Sequence, residues 1–275
     1  MIDRFRQLPA SLAEHARVVR LGGTIPALMC HPDWISPLPT VLWMHGRTAY
    51  KEIDSGRFSR LLRAGIASVA IDLPGHGERL DRRGGENGAG DTLEVMGEAV
   101  GEVDRVVEAL ADPIYQGVFD LDRMGIGGMS LGGMVSLRRL CDTHDFVCAS
   151  VECSCGDLWA LYNPSGGTLP WGVGFDEGKV APLDPAQHLE GFRPIPLLAL
   201  HSEADRIVPW RVQHDFLLKL RRHNSGMDAD PSMVHWRTWP TTGAPEEHSG
   251  FGRVGNEAKN AQVEFFARHL NAELR

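Results

Sequence analysis

No stretch of this chain approaches the ~18 consecutive apolar residues that carry a helix across a bilayer, so a transmembrane helix is not expected. The opening residues, Met1-Ile2-Asp3-Arg4-Phe5-Arg6, lack the apolar centre of a secretory signal. A Lys/Arg-rich stripe is also missing. The 28 basic residues face 36 acidic ones, for a formal charge of −8, which argues against a nucleic-acid partner and for solubility. The five cysteines (Cys30, Cys141, Cys148, Cys153 and Cys155) are odd in number and scattered. They fit the reduced thiols of a cytoplasmic protein better than a disulfide framework, and a Cys-x-Cys without a second pair is no zinc signature. Neither an internal repeat nor a low-complexity linker divides the chain. Residues 1–275 are therefore expected to form one domain with one large core. A homodimer is left open.

What the chain does have is alternation. Residues 16–21 and 24–30 flank Gly22-Gly23 and read as an antiparallel pair. The apolar runs at 40–45 and 66–72 suit strands buried on both faces, and further strands are predicted over 122–127, 146–152, 196–201 and 233–239. Helices are predicted over 54–64, 91–111, 131–141, 209–222 and 256–272, with Asp91 as N-cap of the second. Strands alternating with helices make an α/β fold: a mostly parallel sheet, helices on both faces, and functional groups at the carboxyl ends of the strands.

Gly128-Met129-Ser130-Leu131-Gly132 follows one such strand and precedes a helix. This G-x-S-x-G turn is tight enough that side chains at its flanks would strike backbone, and it exposes Ser130 at its tip beside a helix N-terminus. The Leu131 amide is then free to bind a developing oxyanion. A serine hydroxyl needs a positioned base, and the base needs an orienting acid. Asp205 lies in the loop after the 196–201 strand, and His248 lies between the last strand and the last helix. Ser130, Asp205, His248 is the order nucleophile, acid, base. Arg47, in the loop after the 40–45 strand, is assigned the second oxyanion amide, with Thr48 as the alternative if that loop is shifted by one. His45 and His76 read as buried structural histidines.

The set H-G-R-T-x-x-K-E, D-x-P-G-H-G-E-R, G-M-S-L-G-G, H-S-E-A-D-R-I-V-P and the late histidine resembles the α/β-hydrolase superfamily. The chain is most similar there to small bacterial carboxylesterases of the dienelactone hydrolase and prolyl oligopeptidase branch. The matching blocks run from about residue 40 to the C-terminus. The resemblance implies an eight-stranded, mostly parallel sheet, a serine nucleophile, no metal and no organic cofactor. It casts Ser130, Asp205 and His248 as the triad, and Leu131 and Arg47 as oxyanion donors. Ser130 stands where dienelactone hydrolase has cysteine, and no N-terminal propeller like that of prolyl oligopeptidases is expected.

Residues 153–194 are too long for an ordinary connection and read as a small lid, with Trp159, Tyr162 and Trp171 as substrate-binding walls. Glu152, Cys153 and Cys155 are placed near the same pocket. The expected reaction is hydrolysis of a small-molecule carboxylic ester, short acyl groups favoured, through an acyl-enzyme. An amide, thioester or carbon–carbon bond is the second reading. A third, a nucleotide-binding oxidoreductase, rests on Gly125-x-Gly127, but Ser130 occupies the place of the third glycine. The Gly84–Gly90 stretch lacks a preceding strand and a Lys-[Ser/Thr] ending, and reads as a loop rather than a phosphate cradle.

Overall fold

Successive residues of one central strand send their side chains into two different cores. Val41 and Trp43 join one apolar cluster, while Leu42 and Met44 join the other. This is the period-two consequence of a strand covered on both faces, and it explains the unbroken hydrophobic run. The computed structural model describes residues 7–81, 92–163 and 176–272. Its eight strands are β1 (Ala16–Leu21), β2 (Ile25–Cys30), β3 (Leu38–Met44), β4 (Ala67–Ile71), β5 (Phe119–Met129), β6 (Cys148–Glu152), β7 (Leu197–Ser202) and β8 (Val234–Trp239). They form one sheet in the order β1-β2-β4-β3-β5-β6-β7-β8. The β1–β2 and β2–β4 pairs are antiparallel and the remaining pairs parallel.

The helices are α1 (Ala10–Ala13), α2 (Ser55–Arg63), α3 (Thr92–Leu110), α4 (Leu131–Arg139), α5 (Leu158–Tyr162), α6 (Glu177–Val180), α7 (Trp210–Gly226) and α8 (Gly255–His269). Buried side chains of α3, α4 and α7 fill one core, and those of α2 and α8 fill the other. Among the described residues, no helix is long and apolar enough to cross a membrane.

All the predicted strands and long helices form, most of them with shifted ends. β3 starts at Leu38, before the expected Thr40, and its register against β5 breaks between Pro39 and Thr40. Such an irregularity accommodates a proline that has no amide to give. β5 runs on to Met129, so the strand delivers its last residue directly into the serine turn. α7 extends to Gly226, where His223 Nε2 meets the Phe192 carbonyl oxygen at 2.8 Å. Asp91, the Gly84–Gly90 stretch and Trp171 lie outside the described residues.

The chain leaves β3 for β4 on one side and returns to β5 on the other. The loops after β3 and β5 therefore diverge at the sheet's switch point, where open α/β sheets hold ligands. Gly125 and Gly127 of β5 lie beneath this point. A Cβ at Gly125 would sit 2.9 Å from Phe266 Cε1, and one at Gly127 would sit 2.2 Å from the Ser150 carbonyl oxygen. These glycines serve close packing within the sheet, not a dinucleotide turn. Phe266 is fully buried over this seam. Phe266→Ala is expected to lower unfolding free energy by about 3–5 kcal/mol in urea denaturation. Ile114→Ala, at an exposed position, should change it by less than about 0.5 kcal/mol. Equal small losses would contradict this account of the core.

Candidate active site

The serine turn is dictated by backbone contact. A Cβ at Gly128 would lie 2.4 Å from the Gly132 carbonyl carbon, and one at Gly132 would lie 2.2 Å from the Met44 carbonyl oxygen. With both positions bare, Ser130 reaches φ 51°, ψ −114°, a conformation that costs about 1–3 kcal/mol for a residue with a side chain. Its amide donates to the Glu152 carbonyl at 2.7 Å, and its own carbonyl accepts from the Met134 amide and from Ser154 Oγ. The hydroxyl is left pointing away from all of these.

That hydroxyl meets His248. Ser130 Oγ lies 2.9 Å from His248 Nε2, and His248 Nδ1 lies 2.8 Å from Asp205 Oδ2. The three residues lie in the chain that follows β5, β7 and β8, and all are buried. Asp205 Oδ1 accepts from the amides of Ile207 and Val208, at 2.8 Å each. His201, in β7, brings Nε2 to 3.4 Å from Asp205 Oδ2 while bonding the Val208 carbonyl at 2.8 Å. Burial pushes the Asp205 carboxyl up, but the hydrogen bonds and charge of His201 and His248 outweigh it and leave it below the ordinary range. It is thus an anion aimed at the imidazole N–H.

The Leu131 amide opens α4, where a helix has no internal acceptor for it. Arg47 and Thr48 follow β3, and both border the same cavity as Ser130. Thr48 adopts φ 60° and its hydroxyl donates to the Arg47 carbonyl. His45 is buried beneath them. The Leu73 amide donates to its Nε2, so Nδ1 carries the proton and donates to the Gly46 carbonyl at 2.7 Å. Burial lowers this imidazole to about 4, keeping it a neutral scaffold. His76 packs against it and bonds the Pro74 carbonyl.

A serine turn, a bonded acid–imidazole pair and an unsatisfied helix amide at the carboxyl edge of such a sheet fit one lineage. The profile of the alpha/beta hydrolase family matches residues 8–271. The chain belongs to this family. It is similar to Esterase YjfP of Escherichia coli (strain K12), with 26% identity over 256 residues, covering 90% of this chain and 96% of that protein. Among solved structures it resembles TT1662 from Thermus thermophilus, with TM-score 0.69, 22% identity, and coverage of 94% and 99%. A Pyrococcus horikoshii acylaminoacyl peptidase gives TM-score 0.72 at 16% identity, over 92% of this chain but 41% of that one. These two likenesses concern the fold.

Within this hydrolase, ion pairs tie down the loops that carry the site. Lys51, buried four residues after Arg47, sends Nζ to Asp72 at 2.9 Å and to Glu78 at 2.7 Å, and its amide donates to Asp72. The loop after β3 is thereby fixed to the loop after β4. Glu247 holds the histidine loop. Its carboxylate accepts from the Thr242 amide and hydroxyl, the Gly243 amide and Ser202 Oγ. Both Glu246 and Glu247 have positive φ. Sequence reasoning missed Glu247 and His201; the only signal was their place beside the assigned base and within the block of the assigned acid.

A cavity of about 560 Å³ opens at Ser130 and His248. Its described walls include Arg47, Ile53, Met129, Met134, Ile207 and Phe251, and also Glu152, as the sequence leads one to expect. Trp159 and Tyr162 do not line it. In α5, Leu158, Leu161 and Tyr162 fall on one helical face and turn into the core, leaving Trp159 half-buried. Trp171 lies outside the described residues. Cys153 and Cys155 are fully buried, and burial drives both thiols well above their ordinary range. Among the described residues, the one Cys/His/Asp/Glu group close enough to share a cation is Cys153, Asp205 and His248, whose acid and imidazole already bond each other.

The Thr242 amide, with the Thr242, Gly243 and Ser202 donors, draws the Glu247 carboxyl down to about 2 from the ordinary 4.5. A carboxyl depressed by folding stabilises the protein fully above its unfolded value and loses that contribution as pH falls through its folded value. The Tm difference between the wild type and Glu247→Gln should therefore be largest near pH 7 and shrink from about pH 4.5 toward pH 2. A difference independent of pH would refute the assignment.

Proposed function

We propose that this protein is a serine carboxylesterase for small-molecule esters, short acyl groups favoured, and that it works through an acyl-enzyme. One observation carries the reading: His248 lies 2.9 Å from the Ser130 hydroxyl and 2.8 Å from the Asp205 carboxylate, in the donor–acceptor sense a proton relay needs. Ser130 Oγ attacks the ester carbonyl as His248 Nε2 takes its proton. Negative charge gathers on the carbonyl oxygen, where the amides of Leu131 and Arg47 receive it. Collapse expels the alcohol, which takes the proton from His248, and the acyl group stays on Ser130. Water then attacks the acyl carbonyl, giving its proton to His248, and the acid leaves as Ser130 recovers its hydrogen. Asp205 keeps the imidazole in the Nδ1–H tautomer and stabilises the imidazolium formed in each half.

The ester bond is favoured over amide, thioester or carbon–carbon bonds because the relative aligned over nearly its full length is named an esterase. The peptidase likeness concerns the fold and does not choose a leaving group. The 153–194 segment serves as a lid in this reading. The length of the connection supports this; within it Asp184 accepts from the amides of Leu158 and Trp159. A cytoplasmic location belongs to the same proposal, supported by five cysteines that are all free and buried.

Ser130→Ala should retain the wild-type fold by circular dichroism and lose p-nitrophenyl butyrate turnover by a factor of about 10³ or more. Turnover comparable with the wild type would reject the serine mechanism.

A further inference from the structure

Part of the cavity lining is charged, although nothing in ester hydrolysis requires that. Glu152, whose carbonyl holds the Ser130 amide, sends its carboxylate to Arg57, with both oxygens 2.8 Å from the guanidinium nitrogens. Arg57 lies 3.9 Å over the Trp43 ring and 3.4 Å from Asp54, and Trp43 Nε1 donates to Asp54 at 2.8 Å. Asp54, Arg57 and Glu152 all border the cavity. They hold one another well, but two donors remain. Arg57 Nε is buried without an acceptor. Lys259, on α8, also borders the cavity. Its charge reaches Asp54 and Glu152, but it makes no hydrogen bond or ion pair among the described residues.

On this wall two basic side chains, Arg57 and Lys259, border the cavity with two acidic ones, Asp54 and Glu152, and Lys259 is the basic one that neither carboxylate bonds directly. An all-hydrocarbon acyl chain laid against this wall would strip water from Lys259 and return nothing for it. A site built to pair a polar group rejects the analogue that lacks it.

We infer that the natural substrate is an ester bearing a carboxylate, or a small anion of similar size, on the part that enters this cavity, and that Lys259 binds that anion beside the Arg57–Glu152 pair. This rests on the esterase reading and narrows its substrate class. Lys259 supplies the direct partner. Arg57 is already engaged by Glu152, so it adds positive potential and fixes the wall.

The test compares esters matched in length and different in charge. On the acyl side these are the p-nitrophenyl esters of hexanoic acid, 6-aminohexanoic acid and adipic acid (as its monoester). On the alcohol side they are hexyl butyrate and the butyrate of 6-hydroxyhexanoic acid. The expected result is a kcat/KM for the anionic member of one series at least about tenfold above its neutral partner, equivalent to about 1.4 kcal/mol. The ammonium ester should be the poorest of its series. Lys259→Gln should abolish the preference and Lys259→Arg should keep it, each read as a ratio of substrates so that general damage cancels. A wild type that hydrolyses the neutral esters equally well or better overturns the inference and leaves the esterase reading standing. So does a preference that survives Lys259→Gln. Failure to hydrolyse any ester in either series would instead overturn the esterase reading, and this inference with it.

Discussion

The site depends on one backbone conformation. Ser130 is held at φ 51° because Gly128 and Gly132 admit close approach of the turn to itself and to the end of β3. Its amide and carbonyl are both bonded, to Glu152, Met134 and Ser154, so the turn has no alternative partner to relax toward. The strain is supported by the sheet and the start of α4, whose residues around the turn are buried. Everything else in the site is placed relative to this hydroxyl.

Three strand ends then bring their groups to it. β3 delivers the loop with Arg47, β7 delivers Asp205, and the chain beyond β8 delivers His248. None of these loops is left to its own preference. Lys51 binds the first to Asp72 and Glu78, backbone amides fix Asp205, and Glu247 ties the histidine segment to Ser202 and Thr242. Charge-assisted bonds to backbone donors suit this purpose because they set both direction and distance. The imidazole consequently sits between an acid and an alcohol before any substrate arrives, which is the preorganisation that catalysis by positioned groups requires.

The sheet and the meeting of Ser130, Asp205 and His248 are legible in the sequence for related reasons. Continuous apolar runs mark strands covered on both sides, and G-x-S-x-G records a steric demand that few other structures make. The order Ser130, Asp205, His248 follows the order of the strand ends. Partnerships between distant, individually ordinary residues left no such trace. Arg57 and Glu152 are 95 positions apart, and nothing in either neighbourhood announces the other. Glu247 resembles its neighbour Glu246, yet only Glu247 faces inward to four donors. As an aromatic residue in a long connection, Tyr162 suits a cavity wall by composition. The short helix around it instead puts it on the same side as Leu158 and Leu161. Composition identified the segment, and helical phase decided where the ring went.

The central claim is that His248, held by Asp205, activates the alcohol at position 130. The most direct measurement is the rate of covalent labelling by a fluorophosphonate, with the modified peptide identified by mass spectrometry. A single adduct on Ser130 is expected, formed at least about a hundredfold faster in the wild type than in His248→Ala. An adduct on another residue, or an equal rate without the imidazole, would contradict it.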